Sequence, residues 1–250
     1  MSLEILEPNC PPRGTVFFAH GMAGYKEQSP IQAVAKAAIY EGFTVVLADF
    51  THGFGDADGS LEGLTMTSHA EDFEDVCVHI LAQNWFKEPF IIGGHSIGNL
   101  AALNYIKTPE NQQKVDGLIA VSPNLSGQLR LDAFEKYQPQ ALVRFKERGY
   151  LNIKDPESGK HGKLMRDYIS DFMSYDMLKC ADAFEKPVLF ITGLDDVITP
   201  PEGVRAFLSK ALNCHLTYHE IYGEDHFWRT NAAKGTLSLH VEEWLEKLFS

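Results

Sequence analysis

Ser96 lies in the run Gly94-His95-Ser96-Ile97-Gly98, and His226 in Gly223-Glu224-Asp225-His226-Phe227. Between them comes Gly193-Leu194-Asp195-Asp196-Val197-Ile198-Thr199-Pro200. A serine hydroxyl is a weak nucleophile until a base within hydrogen-bond reach takes its proton. An imidazole is such a base, and a carboxylate on its far nitrogen sets the tautomer and stabilises the imidazolium that forms. Serine, acid and histidine therefore occur in one chain in an order suited to nucleophilic acyl transfer. A bare Gly-x-Ser-x-Gly is also what a glycine-rich turn with an incidental serine looks like. The elements around it must decide.

The strand pattern begins with Thr15 to His20, a short β-branched and aromatic run ending at a glycine. Pro30 opens a helical pattern that stops at Gly42. Phe43 to Phe50 reads as the next strand, and the Gly- and Asp-rich stretch from Thr51 as a loop. A helical pattern runs from about Ser68 to Trp85, with a Thr or Ser cap. Four more strands follow at Phe90–Gly94, Gly117–Ser122, Pro187–Thr192 and His215–Ile221. Helices are read at Ile97–Ile106 and Ser238–Phe249. The strands are continuous apolar runs that alternate with helices, which predicts a mostly parallel sheet with helices on both faces.

One interval breaks this alternation. Residues 124–186 form a polar and aromatic insert with helical patterns at Asp132–Gly149 and Lys163–Lys179, separated by the turn-rich stretch Asp155–Lys163. An insert of this length is functional or separately folded. It is read as a small helical cap over the C-terminal edge of the sheet, where open α/β folds bind ligands. Its aromatics, Phe134, Tyr137, Phe145, Tyr150, Tyr168, Phe172 and Tyr175, either wall a pocket or, for most of them, form the cap's own core.

Within this frame Ser96 sits at a strand–turn–helix junction, the context a nucleophile elbow requires. Gly94 and Gly98 let the strand and helix approach, and the N–H of Ile97 opens a helix, where negative charge is favoured. Where a serine sits on such a turn, the acid and the histidine follow in chain order. His226 is the expected base; His20, His52, His95 and His219 are read as structural. Only one of the adjacent aspartates can be the acid. The spacing Gly-x-x-Asp-x-x-x-Pro from Gly193 to Pro200 selects Asp196 and leaves Asp195 to face solvent or fix the turn. Acyl transfer also needs two donors for the developing oxyanion. The turn His20-Gly21-Met22-Ala23-Gly24 supplies one at the Met22 N–H, and the Ile97 N–H is the other.

These residues resemble the α/β-hydrolase superfamily over nearly the whole chain. The segments 20–27 (HGMAGYKE), 47–50 (LADF), 63–73 (GLTMTSHAEDF), 94–98 (GHSIG) and 193–200 (GLDDVITP) look like the small bacterial serine esterases. The closest look is to the cinnamoyl (feruloyl) esterase and monoacylglycerol-lipase-like group. The resemblance implies a Ser-His-Asp hydrolase without a cofactor, with a cap that shapes substrate choice. Three features depart from it. The usual R-G-H-G-x-S-D-G is replaced by the longer Thr51–Gly59 loop without its Arg, Gly98 is followed by Asn99, and 14 residues precede Thr15. The opening antiparallel hairpin is therefore expected to be shortened or lost, leaving about six or seven strands.

Composition bounds the partners. The 250 residues are 44% hydrophobic and 22% charged, and the chain is read as a single domain over 1–250. A net charge of -12 disfavours nucleic acid. No apolar run approaches the ~20 residues needed to span a bilayer, and the first residues lack a signal-peptide pattern. Cys10, Cys77, Cys180 and Cys214 have neither metal nor disulfide spacing and are read as reduced, mostly buried thiols of a cytoplasmic protein. No metal or other cofactor is expected. The expected partner is a small-molecule ester, and the chain is a monomer or homodimer. Peptidase, thioesterase or perhydrolase chemistry with the same triad is the alternative, followed by a non-catalytic ligand-binding protein.

Overall fold

The computed structural model describes residues 1–213 and 215–249. Cys214 lies outside the described residues.

Among the described residues nine strands form: β1 (Ser2–Leu6), β2 (Gly14–Ala19), β3 (Phe43–Asp49), β4 (Phe90–His95), β5 (Gly117–Val121), β6 (Tyr150–Lys154), β7 (His161–Met165), β8 (Val188–Gly193) and β9 (Leu216–Ile221). Seven make one sheet in the order β1-β3-β2-β4-β5-β8-β9, while β6 and β7 pair separately. Every neighbouring pair in the large sheet is parallel except β1 with β3. The helices are α1 (Ser29–Tyr40), α2 (Met66–Leu81), α3 (Ile97–Ile106), α4 (Pro109–Gln113), α5 (Gly127–Tyr137), α6 (Pro139–Arg148), α7 (Arg166–Phe172), α8 (Pro201–Leu208) and α9 (Asn231–Phe249).

The continuous apolar strands are explained by two cores. Adjacent strand residues point to opposite faces. Val16, Phe18, Val45, Leu47, Ile91 and Ile119 pack on one side with residues of α1 and α9. Phe17, Ala19, Val46, Ala48, Ile92 and Leu118 pack on the other with residues of α2 and α3. Neither face of β2, β3, β4, β5 or β8 meets water, so no polar alternation survives in the sequence. The helix starts also follow from chemistry. Pro30 stands in the first turn of α1. Thr65 and Ser68 cap α2 reciprocally, side chain to backbone N–H in both directions.

As expected, the opening hairpin is shortened, here to one antiparallel edge strand, with Ser2 opposite Asp49 and Leu6 opposite Val45. Its pattern is inverted, for Leu3 and Ile5 are exposed, so alternation offered no buried apolar face to read. The insert is not purely helical. The pattern over 132–149 is broken at Gln138–Pro139 into α5 and α6. Lys163, Leu164 and Met165 belong to β7, and Asp155–Lys160 is the tip of a β6–β7 hairpin. Strand pairing and contact of Gly162 with Leu61 override the helical spacing there. The described cysteines are free, yet Cys10 is exposed and Cys180 only partly covered, so of these three only Cys77 is buried as expected.

Candidate active site

Ser96 occupies the turn from β4 into α3 with φ 57° and ψ -119°. A non-glycine residue in that region costs on the order of 1–3 kcal/mol and persists only where its surroundings over-determine it. Here they do. The Ser96 N–H donates to the Val121 carbonyl at 3.0 Å, and its carbonyl accepts from Asn99 and Asn124 at 3.2 and 3.1 Å. A side chain at Gly94 would strike the Gly98 backbone, and one at Gly98 would strike the carbonyls of Ala19 and His20. The spacing of two glycines around the serine is thus a requirement of close backbone packing.

Asp196 and His226 meet behind it. Asp196 Oδ2 lies 2.8 Å from His226 Nδ1, with both side chains buried. Oδ1 accepts from the N–H groups of Ile198 and Thr199, each at 2.8 Å, and Oδ2 also accepts from the Thr199 hydroxyl at 2.8 Å. Burial opposes ionisation of Asp196, but the His226 charge and these hydrogen bonds outweigh it and hold the carboxyl at about 2. Asp195 points to solvent and is tied only through its backbone N–H to the Glu224 carbonyl. The structure therefore brings together Asp196 and His226, not Asp195 and His226.

The loop after β2 forms the facing wall. Gly21 packs so closely that a side chain there would overlap Ser96 Cβ. The N–H groups of Met22 and Ile97 take part in no hydrogen bond among the described residues. His20 holds the loop's shape. Its Nε2 accepts from the Phe50 N–H at 3.0 Å, so Nδ1 carries the proton donated to the Gly21 carbonyl at 2.8 Å. The neutral ring fits the lowering of its pKa by burial. A buried pair braces the same loop from below, with Lys26 Nζ donating to Asp49 Oδ2 at 2.6 Å. Asp49 also accepts from the Lys26 and Asp56 N–H groups, joining this loop to the Thr51–Gly59 loop.

His95 donates from Nε2 to the His226 carbonyl at 2.8 Å, and burial, with the neighbouring His226 charge, lowers its pKa to about 3. Its role is to hold His226 in place as a neutral ring. His52 and His219 are engaged elsewhere, on the Ser60 carbonyl and the His240 ring.

Ser96, His226, Met22 and Ile97 line one cavity of about 340 Å³. The insert supplies much of its remaining wall, including Phe134, Tyr168 and Phe172. Phe145 instead forms a small core with Phe134 and Leu142, and Tyr137, Tyr150 and Tyr175 do not reach the cavity. From the Thr51–Gly59 loop only Phe54 contributes. Sequence reasoning missed Asn124, whose Nδ2 donates to Ser96 Oγ at 3.1 Å. It also missed Thr199, which bridges Asp196, the Ser122 carbonyl and His226. Asn124 carried no signal beyond its place just after a strand, whereas Thr199 stands beside the Pro200 that selected Asp196. Among the described residues no cluster could hold a metal ion, and no helix is long and apolar enough to cross a membrane.

A family model described as serine aminopeptidase, S33, matches residues 10–227. The chain belongs to this hydrolase family. Its fold is shared with Est1E from Butyrivibrio proteoclasticus, whose structure holds ferulic acid. The two are 22% identical, with 99% of this chain and 94% of the other covered and a TM-score of 0.79. Monoacylglycerol lipase of Paleococcus ferrophilus is also 22% identical, over 99% and 100% of the two chains, with a TM-score of 0.69. Mouse alpha/beta hydrolase domain-containing protein 10 is 18% identical, over 98% and 94%, with a TM-score of 0.74. No match is found among curated proteins. The mostly parallel seven-stranded sheet covered by helices is thus the α/β-hydrolase fold expected from the sequence.

Proposed function

We propose that this hydrolase is a serine carboxylesterase that cleaves small-molecule esters through an acyl-enzyme. One observation carries the reading: a serine on a left-handed turn and a histidine backed by the buried Asp196 border the same largely apolar cavity. Ser96 Oγ attacks the ester carbonyl carbon while its proton passes to His226 Nε2. The carbonyl oxygen takes the negative charge between the N–H groups of Met22 and Ile97. Collapse breaks the bond to the alcohol oxygen, which leaves with the proton from His226 and gives acyl-Ser96. Water attacks next, losing a proton to His226, and the acid departs as Ser96 regains its proton. Asp196, ionised and fixed by four hydrogen-bonding groups, keeps the proton of neutral His226 on Nδ1.

Residues 124–186 act as the cap that selects the acyl or alcohol group, through Phe134, Tyr168 and Phe172 in the cavity wall. That Est1E was solved with ferulic acid and that a neighbour is a monoacylglycerol lipase supports an apolar or aromatic ester substrate.

A second reading follows from the family's own description, aminopeptidase. Such an enzyme needs a carboxylate to hold the substrate's free amino group. The acids in the cavity lining are Asp155 and Glu157. Asp155 is already engaged by Tyr25, Gln28 and Ser158, and Glu157 by Ser29. This favours esters. Initial rates on matched aryl esters and aminoacyl anilides test it. The ester reading expects clear turnover of the esters only; faster cleavage of the anilides assigns the chain to peptide chemistry.

A further inference from the structure

The cavity contains a cation that enters no ion pair among the described residues, and Asp196, whose charge acts on it, is already held by His226 and Thr199. Arg130 lies in the first turn of α5 and lines the cavity shared by Ser96 and His226. Its Nη1 is shut off from solvent and has no hydrogen-bond partner among the described residues, and the guanidinium enters no ion pair there. Arg13, Arg205 and Arg229, all at the surface, pair with Glu41, Glu220 and Asp225, and Arg144 and Arg148, unpaired among the described residues, are exposed to water. Arg130 as a whole is partly buried, and a charge drawn out of water is costly unless paired, since an arginine does not escape by losing its proton.

Its placement is unfavourable in a second way. The first turn of α5 holds no acidic residue, so a cation stands at the positive end of that helix dipole. Gly127, at that same end, also lines the cavity. The face of Phe134, with its centroid 5.3 Å from the guanidinium carbon, orients the group without neutralising it. Tyr168 stands on the same wall, 3% exposed, and its hydroxyl makes no hydrogen bond among the described residues. The acids of the lining do not serve Arg130, since Asp155 and Glu157, both at the hairpin tip, are bound to Tyr25, Gln28, Ser29 and Ser158.

A planar fork of N–H donors and a phenol hydroxyl, left open in an otherwise largely apolar chamber, match one kind of ligand. We propose that the substrate is an ester bearing a carboxylate besides its scissile bond, such as a half-ester of a dicarboxylic acid, with Arg130 and Tyr168 binding that carboxylate. Apolar residues including Leu131, Leu151, Ile153 and Phe172 then cover the hydrocarbon part. The inference deepens the esterase reading and rests on it for the scissile bond, but the anion site stands as a binding property of its own.

The test is therefore a binding measurement. Calorimetry in the Ser96→Ala background compares monopropyl glutarate with neutral propyl pentanoate, of similar length. The half-ester should bind about 10- to 150-fold more tightly, the range for hydrogen bonds to charged groups. In Ser96→Ala/Arg130→Gln that preference should fall to about unity. If the Gln variant does not fold, Arg130→Met, which keeps the apolar stem, carries the same comparison. Two results overturn the proposal: no preference in the Ser96→Ala protein, or a preference that survives loss of Arg130, which would put the carboxylate on the donors beside residue 96. A failure of the esterase reading appears separately, as absent turnover by the parent of both esters, the half-ester included.

Discussion

On the sheet side of the cavity, Asp196 receives donors from Ile198, Thr199 and His226, and Ser96 is pinned through both its backbone groups and Oγ. On the insert side, Arg130 and Tyr168 present side-chain polar groups with no partner among the described residues, set among aromatics and aliphatics. The sheet side grows from strand ends whose register is fixed by the sheet. The insert side rests on a core of a few residues around Phe134, Leu142 and Phe145, held down by contacts such as Thr67 with Asp171 and Tyr25 with Asp155. If the proposed roles hold, the contrast separates chemistry from selection. Changes on the first side should abolish rate for every substrate, and changes on the second should reorder substrates.

The largest effect belongs to Ser96→Ala, expected to lower kcat on any ester by about 10⁴-fold or more while the protein keeps its thermal unfolding profile. A residue on the rigid side must act this uniformly. Asp196→Asn should cost about 10⁴ in kcat because the histidine tautomer is lost, while Asp195→Asn changes it by about threefold or less. Steady-state kinetics of the pair decides the assignment, and the reverse ranking moves the acid to Asp195. Across the cavity, Phe172→Ala should alter the ratio of kcat/KM between short and long acyl esters by about 10–200-fold with chemistry intact. A uniform loss for all esters would erase the distinction between the two sides.

A pH experiment sharpens the rigid side. The Asp196 carboxyl is depressed from 3.8 to about 2 by the excess of His226 and its hydrogen bonds over burial. Its stabilisation is present above the unfolded value and lost as pH falls from about 4 toward 2, on the order of 2 kcal/mol in all. Thermal unfolding between pH 2 and 4 should accordingly be flatter for Asp196→Asn than for the parent. The smallest effect is that of Asn124→Leu. By donating to Ser96 Oγ, Asn124 leaves the hydroxyl proton free to point toward His226. Losing one neutral hydrogen bond should reduce kcat by about 2–10-fold, with KM little changed.

The legibility of the sequence follows the same division. Buried parallel strands have no solvent face, so their apolar runs are continuous and easily read, and the elbow around Ser96 shows because only glycines fit its flanks. Asp196 was separable from Asp195 by spacing to Gly193 and Pro200. The hairpin of the insert was not legible. Lys163, Leu164 and Met165 carry helical spacing but are claimed by pairing with Tyr150, Leu151 and Asn152, a contact that local periodicity does not encode. Strand β1 was hidden because Leu3 and Ile5 face outward. Asn124 and Arg130 were missed for a further reason: their meaning lies in what surrounds them across the cavity.

The central claim is that Ser96 is the nucleophile of an acyl-enzyme, and covalent labelling tests it most directly. A fluorophosphonate should add one adduct mass to the parent, mapped by peptide mass spectrometry to Ser96, and none to Ser96→Ala. Labelling that persists at another residue in Ser96→Ala, or a parent that remains unlabelled while hydrolysing ester, would contradict the account.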